Sequence, residues 1–327
     1  MNINNNDMFS NSSMQHHPKV SVIVPNYNHS EYLTERIESI LQQSYDNFEI
    51  ILLDDCSTDN SRAIIESYKS NSHISHCIFN KHNTGNTFIQ WEKGISLAKG
   101  EYVWIAESDD SCSKLFLSEL ISLLDSHSDA VLAFSHTYLI DSNGRHLKIN
   151  WHRKSNGKIL THDGKQFARQ VMTRQNYISN ASMVVFRRSI FYKVPKYFQQ
   201  YKSCGDWLFW TYICTQGKVI EVCKKLNYFR MHEKKVTVNA GKTNDDWMEV
   251  SSILSSFIDL LTIKGISLRI FRGKWTYDLS KSVRPNKKEL MIRFPDIYGG
   301  SKMDIFLYRL SNVIHKITAS IFDFKTY

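Results

Sequence analysis

Short apolar runs alternate with amphipathic stretches along the first 140 residues or so. "VSVIVP" (20–25) and "FEIILLDD" (48–55) are aliphatic and β-branched with no polar alternation, the pattern of strands buried on both faces. Between them Tyr32, Leu33, Ile37, Ile40 and Leu41 recur at helical spacing, with Ser30 placed to cap the helix. Ser57 or Thr58 is placed to cap a second helix that reaches Lys69. "HCIFN" (76–80) then predicts a strand, Phe88 to Ala98 a helix, "EYVWIAE" (101–107) a strand, "KLFLSELISLLDSH" (114–127) a helix and "AVLAFSHTYLI" (130–140) a strand. This alternation predicts an α/β fold, a mostly parallel central sheet with helices on both faces.

After the "DSNG" turn signal (141–144) the pattern loosens. "ASMVVFRR" (181–188) and "KLNYFRMH" (225–232) read as strands and "GDWLFWTYICTQG" (205–217) as a helix. Beyond Gly241 two long amphipathic stretches predict helices. The expected organisation is an Asn- and Ser-rich disordered leader (1–17), an α/β domain (18–240) and a basic helical extension (241–327).

Composition narrows the setting. With 327 residues, 42% of them hydrophobic, a large core is available. The net charge of +9 points to anionic partners. Much of it falls between Lys264 and Arg293, where nine Lys/Arg face Asp278 and Glu289. A basic segment flanked by amphipathic helices suits an anionic membrane surface. No nucleic-acid-binding module is visible, so nucleic acid is not an expected partner. Six scattered cysteines without a CxxC pair fit reduced thiols in a cytoplasmic protein. No apolar run approaches the roughly 18 residues of a membrane span.

Candidate chemistry collects where strands end. Open α/β sheets bind ligands at the carboxyl ends of their strands. The second strand ends in Asp54-Asp55, and the fourth runs into Glu107-Ser108-Asp109-Asp110. Carboxylates this crowded call for a counter-charge, and oxygen ligands favour Mg²⁺, Mn²⁺ or Ca²⁺. A metal-bridged diphosphate follows as the expected ligand. Neither GxGxxG nor GxxxxGK[ST] is present, which argues against a dinucleotide dehydrogenase and a P-loop enzyme. "DCSTDNSRAIIE" (55–66) half-matches a calcium loop but has Asn60 where that loop needs glycine.

In order and spacing, "KVSVIVPNYNHSEYLTERIESILQQSY", "FEIILLDDCSTDNS", "NTGNTFIQWEKGISLAKGEYVWIAESDD", "GDWLFW" and "LNYFRMH" resemble the family 2 glycosyltransferases, inverting enzymes of the GT-A fold. The resemblance covers roughly residues 18–235. It implies transfer of a sugar from a UDP-, GDP- or dTDP-sugar to a hydroxyl of a glycan or lipid-linked acceptor, with Mn²⁺ or Mg²⁺, in surface-polysaccharide synthesis at the inner face of the plasma membrane. By the same resemblance Pro25, Asn26 and Tyr27 line the base pocket and Asp55 accepts a hydrogen bond from the base. Asp109 lies near the ribose, Asp110 and His232 hold the metal, and Asp206 is the general base. Two departures stand out: Gln90-Trp91-Glu92-Lys93 replaces a segment that carries an arginine in many relatives, with Lys93 as its substitute for the nucleotide, and Gly205 replaces an acidic residue before Asp206. Trp207 and Trp210 are candidates to stack on acceptor sugars, with core packing the blander expectation, and Glu107 is a candidate structural acceptor. The rival reading is a non-catalytic nucleotide- or sugar-binding protein on the same scaffold.

Overall fold

The two aliphatic runs at the start of the chain become fully buried strands, β1 (Val20–Asn26) and β2 (Phe48–Asp54), because their branched side chains fill the pleat on both faces. The computed structural model describes residues 17–149, 152, 155–232, 245–283 and 286–321. The expected leader, apart from His17, and the expected boundary at 240/241 lie outside the described residues. α1 (Ser30–Leu41), α2 (Ser61–Ser67), β3 (Ile74–Phe79), α3 (Thr87–Leu97) and β4 (Tyr102–Ile105) follow. Then come β5 (Ser111–Cys112), α4 (Phe116–Ser126), β6 (Ala130–Ile140), β7 (Ile159–Asp163), α5 (Gly164–Phe167), β8 (Val184–Arg187), α6 (Arg188–Phe191), α7 (Gly205–Cys214) and β9 (Lys218–Arg230). The C-terminal helices are α8 (Asp245–Leu260), α9 (Gly265–Lys281), α10 (Lys287–Arg293), α11 (Pro295–Tyr298) and α12 (Lys302–Ile321).

These strands form one sheet in the order β3-β2-β1-β4-β8-β6-β9-β5, with β7 also on β9. β1, β2, β3 and β4 are parallel, as are β6 and β9, while β8 runs antiparallel to both β4 and β6. β5 and β7 are antiparallel to β9. The carboxyl ends of β1, β2, β4, β6 and β9 therefore share one edge, where the chemistry was expected.

Two cores sandwich the sheet. One packs α1 and α4 against it through Leu33, Ile37, Ile40, Phe116, Leu120 and Leu124. The other holds α3, α7 and the C-terminal helices. Trp207 of α7 meets Phe257 at 5.7 Å and Trp275 at 6.0 Å, so α8 and α9 share the core of the α/β part.

Local differences from the expected elements have simple causes. Ser30 does not cap α1 with its side chain; its backbone N–H donates to Asp59 Oδ2 at 2.9 Å. The other oxygen of Asp59 accepts from Ser61 N at 2.9 Å, and α2 starts there rather than at Ser57 or Thr58. Residues 181–183 form a 3₁₀ turn instead of the start of a strand, because the Asn180 side chain accepts from Ser182 N at 2.6 Å.

Candidate active site

At the end of β1, Pro25 and Asn26 are buried, and Tyr27 is 45% exposed. The Asn26 amide donates to Asp54 Oδ1 at 2.9 Å and to Ser57 Oγ at 3.2 Å. Asn28 and Cys56 both take left-handed backbone (φ 56° and 63°), turning the loops after β1 and β2 toward each other. Thr58 N donates to Asn28 Oδ1 at 2.8 Å and ties the loops together.

Asp55 sits at the centre of a polar web. Its carboxylate accepts from Asn80 Nδ2 at 2.6 Å, Gln90 Nε2 at 2.9 Å and Thr84 Oγ1 at 2.7 Å, besides the Thr84 backbone N–H. Lys93 reaches this web one step out, bonding Asn80 Oδ1. Gln90 thus works inward on Asp55.

Beyond β4 the chain leaves the sheet in a turn, and neighbouring carboxylates diverge. Glu107 accepts from the Trp91 indole at 2.9 Å. Asp110 is wholly buried: its Oδ2 accepts from Asn180 Nδ2 and Ser182 Oγ, both at 2.7 Å, and its Oδ1 from Arg230 N at 3.0 Å. Asp109 turns the other way, its Oδ2 lying 2.9 Å from His232 Nε2. The expected metal pair was Asp110 with His232; the structure groups Asp109 with His232 and sets Asp110 among structural donors.

A residue outside the expected set completes this group. Ligand atoms of His29, Asp109 and His232 all lie within 4.8 Å of one another. Ser108 Oγ holds His29 Nδ1 at 2.8 Å. Two imidazoles and a carboxylate form a mixed nitrogen–oxygen set, which fits Mn²⁺ better than oxygen-seeking Mg²⁺. The Arg230 guanidinium is buried behind them, donating to the Asp109 carbonyl at 2.8 Å and to Glu35 at 2.6 Å.

Asp206 is the second residue of α7. Its Oδ1 accepts from Trp207 N at 2.8 Å and its Oδ2 from Asn176 Nδ2 at 3.2 Å. Close packing around the carboxyl pushes its pKa up to about 7, against the pull of those two bonds. Gly205 is explained by crowding: a Cβ there would lie 2.5 Å from the Phe198 carbonyl oxygen and 2.6 Å from the Phe88 ring. Trp207 and Trp210 are both buried, and the Trp207 indole donates to Met172 O at 2.8 Å, so both belong to the core rather than to an acceptor platform. Segment 176–182 joins the two sides, bonding Asp206 through Asn176 and Asp110 through Asn180 and Ser182.

A mostly co-directed sheet whose strand ends carry this acidic and histidine-bearing edge defines the GT-A fold. Crystal structures of TarS from S. aureus share it. TarS 1-349 superposes with a TM-score of 0.62 at 20% identity, over 84% of this chain and 78% of that one. Its complex with UDP-GlcNAc gives the same score and identity, over 84% and 79%. The family model described as Glycosyl transferase family 2 matches residues 21–194, and the chain belongs to that family. Its relatives include the glycosyltransferase GlyG of Streptococcus pneumoniae, 38% identical over 36% of this chain and 40% of GlyG. The putative teichuronic acid biosynthesis glycosyltransferase TuaG of Bacillus subtilis is 35% identical over 37% of this chain and 46% of TuaG. The poly(ribitol-phosphate) beta-N-acetylglucosaminyltransferase TarS of Staphylococcus aureus is 34% identical over 35% of this chain and 20% of TarS. The match spans less than half the length of each of these relatives.

Proposed function

We propose that this protein is a metal-dependent inverting glycosyltransferase that moves a sugar from a nucleoside diphosphate to an acceptor hydroxyl. The observation that carries the reading is the grouping of Asp109, His29 and His232 at the strand edge, with a loop linking that edge to Asp206. The acceptor oxygen forms a bond to the anomeric carbon as the bond to the diphosphate breaks on the opposite face. Asp206 takes the hydroxyl proton, and its raised pKa suits it to hold that proton near neutrality. Exposed Tyr27 offers a flat face for the base, and the Asp55 web fixes the pocket wall behind it. A divalent cation held by Asp109, His29 and His232 supplies charge neutralisation for the departing diphosphate. Asp110 supports the turn from beneath.

The names of TuaG and TarS support a polyanionic cell-surface glycan, free or lipid-linked, as acceptor, and the TarS complex supports a uridine nucleotide as donor. A thermal-shift panel of UDP, GDP and dTDP with Mn²⁺ or Mg²⁺ tests this. The expected result is the largest rise with UDP and Mn²⁺, lost in Asp109→Asn. A rise that ignores both metal and the substitution would overturn the metal assignment.

No described helix is long and apolar enough to cross a membrane. On α12, however, Met303, Phe306, Leu310 and Val313 recur at helical spacing and are each 42–56% exposed. This stripe, on the helix packed against the basic α9, favours docking on an anionic leaflet at the cytoplasmic face. Co-sedimentation with anionic but not neutral liposomes is expected, and Phe306→Ser with Leu310→Ser should reduce it. Equal sedimentation with both lipids would remove this part of the proposal.

A further inference from the structure

Away from the strand edge, a second group of ligating side chains lies inside the sheet where β6, β9 and β7 run side by side. Glu221 and Cys223 are two residues apart on β9 and so share a face. His136 comes from β6 and His162 from β7. Their Nε2 atoms each lie 2.9 Å from a different oxygen of the Glu221 carboxylate. Ligand atoms of His136, Glu221 and Cys223 all fall within 4.8 Å of one another. The three residues are buried, while the His162 side chain keeps 15% exposure and gives the group an opening to solvent.

An imidazole nitrogen this close to a carboxylate oxygen needs a cation between them, either a proton or a metal. Protons alone would make an ordinary buried ion-pair cluster. That reading does not require a thiol beside the pair. His152 is buried beside the group, stacked on His136 at 4.4 Å. The surroundings have the form of a metal site's outer shell. Ser155 Oγ lies 2.9 Å from the far nitrogen of His136, and the Tyr177 hydroxyl donates to Glu221 at 3.0 Å. Such contacts fix the tautomer of a ligating histidine and the orientation of a ligating carboxylate.

We infer that His136, Glu221 and Cys223 bind a borderline divalent transition metal of the Zn²⁺ class, with His162 holding the second oxygen of Glu221 from the rim. Mixed nitrogen, oxygen and sulfur donors select such an ion over Mg²⁺ or Ca²⁺. Binding forms metal–ligand bonds without redox change, and both the Cys223 thiol proton and the proton between His136 Nε2 and Glu221 go to solvent. Three protein ligands leave the fourth position to water. Tyr177 connects it to its neighbour Asn176, which holds Asp206, so loading stiffens the loop beneath the base.

The test is a Co²⁺ titration of the full chain after chelator treatment, with Zn²⁺ as competitor. One of the bound equivalents is expected to carry a thiolate-to-cobalt charge-transfer band in the near ultraviolet that Zn²⁺ abolishes. Cys223→Ser should lose the band and bind at least about tenfold more weakly, whereas Asp109→Asn, at the strand edge, should keep it. If Cys223→Ser does not fold, His162→Gln, at the rim, should keep the band and lose about tenfold in affinity. A wild-type chain without the band, or a band unchanged in Cys223→Ser, would overturn the site.

Discussion

Asp110 and Asp206 are held by the two ends of one short segment, 176–182, and their surroundings could hardly differ more. Asp110 is wholly buried and accepts from two side chains and a backbone N–H, each within 3.0 Å. Asp206 accepts from its own neighbour's N–H and one longer bond from Asn176, in packing that pushes its carboxyl up to about 7. The first arrangement spends a carboxylate on holding a turn. The second, in the proposed mechanism, keeps one poised to exchange a proton. Pairs of acids driven apart by environment mark a division of labour between them.

Removing Asp206 should have the largest effect. Asp206→Asn is expected to lower kcat about 10²–10⁴-fold, with the nucleotide-induced thermal shift unchanged. Activity kept within a few-fold would erase the contrast. Asp110→Asn comes next: its amide would turn an N–H toward donors, costing about 2–4 kcal/mol in denaturant unfolding. Wild-type stability combined with lost turnover would instead place Asp110 in the chemistry. The smallest effect is graded. Because Asp206 must be ionised to accept a proton, kcat/KM should fall about tenfold per pH unit below about 7. Its folded pKa lies above the unfolded value, so the stability it contributes is complete below the unfolded pKa and fades as pH rises through about 7. Asp206→Asn should flatten both profiles, and a slope that survives belongs to another group.

The strand framework was legible because doubly buried strands have no polar alternation to confuse them, and 130–140 is a strand from end to end as expected. Division of labour within "ESDD" was not. β4 stops at Ile105, so the period-two rule that sorts adjacent side chains lapses before Glu107. Which carboxylate faces His232 depends on Asn180 and Ser182, some 70 residues away, in a stretch without motifs. His29 and Asn176 were missed for the same reason: only tertiary packing brings them to Asp109 and Asp206. The basic C-terminal extension was expected from its amphipathic helices, whose spacing does not say what their apolar faces meet. Their apolar faces in fact complete the core around Trp207.

Asp59 closes the amino ends of two helices at once, one oxygen on Ser30 N and the other on Ser61 N. Fraying of either helix at that end releases one of the two bonds that position the same carboxylate. Local opening of the two loops that frame Tyr27 is therefore expected to be coupled through that one side chain. The nucleotide of the proposed reaction would meet a wall whose two halves share one carboxylate.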